Sequence, residues 1–236
     1  VGIHLDVVGA AFLITAVSCF REERFRLSFL MLAFAVLVKY LALVAVPVFV
    51  LELFRKQRGG RGSRSAGWLA LRRSLFFLLP AALFLPFIGA GEKLFSQLVI
   101  YNRYWEFNGF LYTIAKCFWS SPRWILSGGL FVALLCVYVK RFDFTEKIFL
   151  SVLSLLLFFP VLYPWYILWL LPLAILLLHY PVLLLSIVLY ISYTVTAFYH
   201  MTGIWEEHWV FLLVQYVPFY TAMIFYYYRR RCVQKA

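Results

Sequence analysis

Residues Phe158 to Pro172 read FFPVLYPWYILWLLP, two apolar runs that meet at Tyr163-Pro164-Trp165-Tyr166 with almost no polar spacer. Proline lacks an amide hydrogen and disfavours the helical region for the residue before it. One helix is therefore expected to end near Tyr163, and the next to begin at Pro164, the preferred first helical position. Tyr163, Trp165, Tyr166 and Trp169 have apolar bodies and polar tips, which suits a membrane–water boundary. The stretch reads as a tight helical hairpin whose tip lies at one face of a bilayer. A plain aromatic belt is the simpler reading of the same residues.

The rest of the chain has the same character. Of its 236 residues 65% are hydrophobic and 21% aromatic, with a mean hydropathy of +0.89. A soluble domain is about half apolar. In lipid only helices or closed barrels satisfy the backbone, and barrel strands alternate apolar and polar residues. These segments are continuously apolar, so the expected fold is all-α, a polytopic transmembrane helical bundle. The chain starts at valine with no basic leader, and Gly2, His4 and Asp6 run at once into an apolar stretch. Residues 1–236 are accordingly read as one transmembrane domain, the later part of a longer protein lacking its N-terminal spans. Cys19, Cys117, Cys136 and Cys232 are too scattered for a metal-ligand spacing, and neither a disulfide nor structural zinc is expected.

Spans are expected at Leu5–Phe20, Phe76–Gly89, Trp124–Val139, Ile148–Tyr163, Pro164–Leu178, Val182–Tyr199 and Trp209–Tyr228. Leu27–Phe54 is a largely apolar stretch of 28 residues interrupted by Lys39. As one helix it would be about 42 Å long, beyond the hydrocarbon core, with a lysine near its middle. A short re-entrant helix hairpin turning near Lys39-Tyr40 avoids both problems. Residues 55–73 form a glycine- and arginine-rich stretch. Its glycines at 59, 60 and 62 precede no Lys-Ser/Thr pair, so it is a solvated cytoplasmic linker and not a P-loop. Residues 90–123 are polar but patterned. Phe95 and Val99, then Phe110, Ile114 and Phe118, recur at helical spacing around a turn signal at Asn108-Gly109. Two short amphipathic helices lying on the membrane surface are expected there.

The net charge of +12 is explained by its distribution. With residues 55–73 inside, 17 of the 22 Lys and Arg fall in inside segments and only Lys93, Arg103, Lys116 and Arg123 outside. That asymmetry obeys the positive-inside rule only if residues 27–54 enter and leave on the same side. The basic balance is thus topology and not nucleic-acid binding, with anionic headgroups as a secondary partner.

Four polar clusters would then share the outer face: His4 with Asp6; Lys39 with Tyr40; Arg103, Glu106 and Asn108 with their aromatic neighbours; and Tyr163, Trp165 and Tyr166. An ionisable group in a membrane segment costs about 2.5–3.5 kcal/mol, so it usually has a partner or a task. Cations fit a phosphate, carboxylates a hydroxyl or a metal. Plainer readings stand beside these. Asp6 suits a helix N-terminus, Lys39 can snorkel, and Arg103 and Glu106, three apart, can simply pair. Glu206 and Glu207 read as a solvated loop.

Taken together, GIHLDVVGAAFLITA, RLSFLMLAFAVLVKYLALVAVP, YPWYILWLLPL and NRYWEFNG resemble segments of the GT-C superfamily of polytopic glycosyltransferases, nearest to bacterial polyprenol-phosphate-mannose-dependent mannosyltransferases. The resemblance implies transfer of a mannose-type hexose from a polyprenyl-phosphate donor to a lipid or glycan hydroxyl, at the outer face of a bacterial inner membrane. The family's general base usually lies in a first outer loop with no counterpart here, so the fragment alone is expected to be inactive. Relatives often place a proline soon after the hairpin lysine, whereas here the next is Pro47. On this reading Lys39 and Arg103 meet the donor phosphate, and Asp6 and His4 orient the acceptor or a divalent cation. Glu106, Asn108, Tyr163, Trp165 and Tyr166 complete the substrate-binding set. A flippase for lipid-linked glycans and a non-catalytic membrane scaffold are the alternatives. A flippase would show internal repeats and polar groups near the midplane.

Overall fold

The computed structural model describes residues 5–58 and 63–233, so His4, the glycines at 59, 60 and 62, and Lys235 lie outside the described residues. Among the described residues the chain is helical, with only isolated bridges at Phe107, Asn108 and Val161 in place of strands. Contacts divide it into two compact units, Val1–Trp105 with Leu130–Leu155, and Glu106–Gly129 with Leu156–Ala236.

In the first unit α1 (Asp6–Arg21) and α2 (Phe25–Val38) form an antiparallel pair. Glu23, at φ 61°, lets the chain reverse in three residues. Buried Gly9, Ala10, Ala16, Ala33 and Ala35 allow close approach, and the Ser28 hydroxyl donates to the Ala16 carbonyl at 2.8 Å. Helix α2 stops at Lys39, whose backbone is extended at φ −159°. A 3₁₀ turn (Tyr40–Ala45) leads into α3 (Val46–Arg58), which brings Phe49 back beside Phe29 with ring centroids 6.2 Å apart. Lys56 then reaches Glu23 at 3.3 Å. The residues flanking Lys39 thus fold back on each other.

One end of this unit is built from the polar turns. Phe20 packs on Phe25, Phe49 and Phe144, and Arg21 pairs with Asp143 at 3.3 Å. The turn at 21–24, the end of α3 and residues 143–144 therefore lie together. Helix α1 carries the chain about 24 Å from there to Asp6.

Two expectations for this unit are corrected. Residues 55–73 are not simply a linker, because α4 (Ser63–Ser74) packs against α2 and α3, buries Ala70 and stacks Arg73 on Phe25. The span at Phe76–Gly89 is not α-helical. It is a 3₁₀ helix, Leu75–Ala90, containing Pro80 and Pro86. At about 2.0 Å per residue these 16 residues reach about 32 Å, the thickness of a hydrocarbon core, where an α-helix would reach about 24 Å. The 3₁₀ helix begins with Phe76 under Arg26 and leads to α5 (Lys93–Tyr104), where Phe95 meets Tyr40.

The second unit contains α6 (Phe110–Phe118), the start of α7 (Pro122–Val139) and the end of α8 (Phe144–Phe158). It continues through a 3₁₀ helix (Pro164–Trp169), α9 (Leu171–Leu176), α10 (Tyr180–Val188), a 3₁₀ link (Leu189–Ser192), α11 (Tyr193–Thr202) and α12 (Trp209–Val233). Helix α8 ends at Phe158, five residues before the expected Tyr163, because Pro160 already bars the helical conformation at Phe159. The expected span Pro164–Leu178 is also broken. Its first part is 3₁₀ and its α-helical part has six residues. The two short helices around Asn108-Gly109 are present as α5 and α6, with Asn108 at φ 55°.

Three helical stretches are long and apolar enough to cross a membrane: Pro122–Val139, Tyr180–Thr202 and Trp209–Cys232. At most 28% of any of these stretches is buried by protein. Uncovered apolar surface on this scale is a lipid-facing surface.

Candidate functional site

In the first unit Asp6 and Lys39 meet. Asp6 lies in the first turn of α1, where the helix dipole favours a carboxylate. Lys39 leaves the end of the antiparallel α2, and 33 residues of chain separate them. Nζ donates to the Asp6 carboxylate at 2.7 Å; the Asp6 side chain is 5% exposed and Lys39 29%. Two clusters that the sequence could only assign to a common face are therefore one ion pair, at the end of α1–α2 away from the Arg21–Asp143 and Lys56–Glu23 pairs. The Asp6 carboxylate is thus held by an ammonium. Arg103, near the end of α5, lies with its guanidinium 5.4 Å from the Tyr104 ring centre.

In the second unit the Glu106–Asn108 stretch and the Tyr163 corner converge. The Phe107 amide donates to the Pro160 carbonyl at 3.0 Å, and the Leu162 amide to the Phe107 carbonyl at 2.8 Å. Gly109 is required by this pairing, since a Cβ there would lie 2.7 Å from the Pro160 oxygen. Phe107 stacks on Tyr163 at 4.5 Å, and Tyr163 on Trp165 at 4.3 Å, with Tyr166 edge-on to both Tyr163 and Trp165. Tyr166 and Trp169 are buried by protein and do not form an exposed belt.

Two polar groups are built on that pairing. Asn108 donates its side-chain amide to Gln215 at 3.0 Å and its backbone amide to Glu207 at 2.9 Å, and its carbonyl accepts from the Tyr216 hydroxyl at 2.7 Å. Beside them is a polar recess of about 10 Å³, room for one water, lined in part by Ser192, Glu207 and Gln215. Burial pushes the Glu207 carboxyl upward, against the hydrogen bond from Asn108, and the nearby Glu106 charge adds to the rise.

Glu106 forms the other group. Its carboxylate meets Lys116 at 2.6 Å and Arg123 at 3.4 Å, with the Tyr112 hydroxyl donating at 2.5 Å. Burial opposes the charge on Glu106, but the bonds from Lys116 and Tyr112 and the two cations outweigh it and hold the carboxyl below its usual range. Burial and the Glu106 carboxylate push the Tyr112 hydroxyl up to about 12, so it remains a donor.

Glu207, Gln215, Tyr216 and Tyr112 were not singled out from the sequence as functional. Gln215 did carry a signal, being a lone amide in the apolar run WVFLLVQYVPFY. Among the described residues no three His, Cys, Asp or Glu side chains converge as metal ligands would. No family model matches the chain, and no curated protein or solved structure shows similarity to it.

Proposed function

We propose that the protein is a polytopic membrane enzyme that transfers a sugar, a mannose-type hexose, from a polyprenyl-phosphate donor to a lipid or glycan hydroxyl. The observation that carries this reading is the Asp6–Lys39 pair, 2.7 Å apart at the end of an apolar helix pair. Ionisable groups held in such a setting favour a task over a coincidence. In this reading the turn at Lys39 is a re-entrant hairpin. The basic turns face the cytoplasm by the positive-inside rule, and Asp6 and Lys39 face outward across a bacterial inner membrane.

A donor phosphate draws Lys39 from Asp6, and the freed carboxylate orients the acceptor hydroxyl and takes its proton, in place of the outer-loop base that has no counterpart in this sequence. The hydroxyl oxygen bonds to the anomeric carbon while the bond from that carbon to the phosphate oxygen breaks with inversion. Phosphate leaves with the electron pair, its charge met by Lys39 and Arg103. In the second unit Glu106 and Asn108 are engaged by protein partners.

The test is transfer of labelled mannose from polyprenyl-phosphate-mannose in membranes carrying the protein. Asp6→Asn and the double variant Asp6→Asn/Lys39→Met, neither of which strands the buried carboxylate, are expected to abolish transfer with the fold retained. Wild-type turnover in both variants would remove the reading. Movement of a lipid-linked glycan across proteoliposomes, with no transfer, would replace it by a flippase.

A further inference from the structure

Helices α10 and α12 of the second unit pack together and leave a recess of about 540 Å³ open along one side. It is lined in part by Val217, Thr221, Ala222 and Phe225 of α12 and by Tyr180 of α10. Positions 217, 221 and 225 stand four apart, so they form one row along the helix. The small Thr221 and Ala222 hollow that row between Val217 and Phe225. Tyr180 is fixed at its edge, where the hydroxyl donates to the Ala222 carbonyl at 3.3 Å. The row ends at Arg229, four residues beyond Phe225, which lines the same recess. From Val217 to Arg229 the helix rises about 18 Å, close to the depth of one membrane leaflet.

The charge at the end of the recess indicates what fills it. Arg229 is exposed, and among the described residues no carboxylate meets its guanidinium. It stands near the end of the apolar span Trp209–Cys232. A cation at that point suits the helix dipole and the boundary of a membrane. Arg231 serves both of those roles equally. It too is exposed, but it lies about 200° further round the helix and does not line the recess. What distinguishes Arg229 is the apolar channel leading to it. We propose that this recess binds an anionic phospholipid of the surrounding membrane, with the lipid phosphate on Arg229 and one acyl chain along the row from Phe225 to Val217. The site shares no residue with the Asp6–Lys39 pair and does not depend on the sugar-transfer reading.

A guanidinium presents paired N–H donors that match two phosphate oxygens. The chain gains packing against the row, as it would against other lipid tails, so the charge decides which lipid is held. General attraction of anionic lipid to a basic helix end makes a different prediction. It treats Arg229 and Arg231 alike and takes no account of the recess.

The experiment is native mass spectrometry of the full chain in a neutral detergent, counting bound phosphatidylglycerol or phosphatidylcholine of the same chain length. One phosphatidylglycerol should bind ahead of phosphatidylcholine. Arg229→Gln should weaken that binding about fivefold, the worth of one cation against an anionic lipid. Arg229→Lys should keep most of it, and Arg231→Gln should leave it unchanged. Thr221→Phe fills the recess without altering charge and should also weaken binding. Glycerol 3-phosphate, a headgroup without chains, should not displace the lipid at equal concentration. Equal losses in Arg229→Gln and Arg231→Gln would assign the preference to general basic charge and overturn the site. Equal binding of the two lipids, unchanged binding in a folded Thr221→Phe, or displacement by glycerol 3-phosphate would overturn it as well. Both arginines are exposed, so their comparison decides the matter even where Thr221→Phe does not fold.

Discussion

The two acidic groups, Asp6 and Glu106, invite direct comparison. Asp6 is almost fully enclosed and faces one lysine, while Glu106 is about one-third exposed and faces two cations and a tyrosine. Desolvation makes the first pair costly to form and more costly to break, because removing one partner strands a charge away from water. In the second group Lys116 and Glu106 are accessible to water, so the Lys116 charge can be removed with little effect on folding. Burial decides which group the fold depends on.

The largest effect that would break this contrast is at Lys39. Lys39→Ala should destabilise the protein by about 3 kcal/mol, since buried Asp6 loses its counter-charge. The double change Asp6→Asn/Lys39→Met should recover most of that loss in a double-mutant cycle of unfolding in mild detergent. Next in size is Asn108→Ala, which removes the side-chain bond to Gln215 and places alanine at φ 55°. A cost of about 2 kcal/mol is expected in the same assay. Gln215→Leu, which leaves the Asn108 amide without that acceptor, should cost about 1–2 kcal/mol. The smallest effect is at Lys116. Lys116→Gln should change stability by less than about 1 kcal/mol.

Acidity sharpens the contrast between carboxylates within the second unit. The depressed Glu106 contributes stability that is present above the ordinary glutamate range, about 4.3, and is lost as pH falls through its lower folded value. The raised Glu207 acts oppositely. Its folded form binds protons more readily than its unfolded form, so its contribution worsens as pH rises from the ordinary range through its folded value. Melting temperature followed against pH should therefore show Glu207→Gln gaining on the wild type with rising pH. Glu106→Gln should fall behind the wild type as pH rises through the lower range and draw level with it as pH falls.

The sequence was most informative where a charge stood in an apolar run. Lys39 could be placed at a break because an unbroken helix was too long and the basic residues would otherwise be split between two faces. Asn108-Gly109 marked its turn through the backbone freedom those residues have. What stayed hidden depended on partners distant in the chain. The Asp6–Lys39 bond joins residues 33 apart on antiparallel helices, a register that no local pattern fixes. Glu207 looked solvated because its burial comes from residues about 99 positions away. The 3₁₀ form of Leu75–Ala90 was missed because an apolar run shows its length but not its rise per residue. Helix α4 was missed because arginine and glycine suggested a linker, while Ala70 and Arg73 find their partners only in the fold.

The claim beneath the functional proposal is that Asp6 and Lys39 lie across the membrane from the basic turns. It is tested most directly by labelling single cysteines in a cysteine-free background with a membrane-impermeant maleimide. Tyr40→Cys, beside the ion pair, should react in intact cells, and Gln57→Cys, at the basic end of α3, only after permeabilisation. Reaction of both positions from the same side would contradict the account.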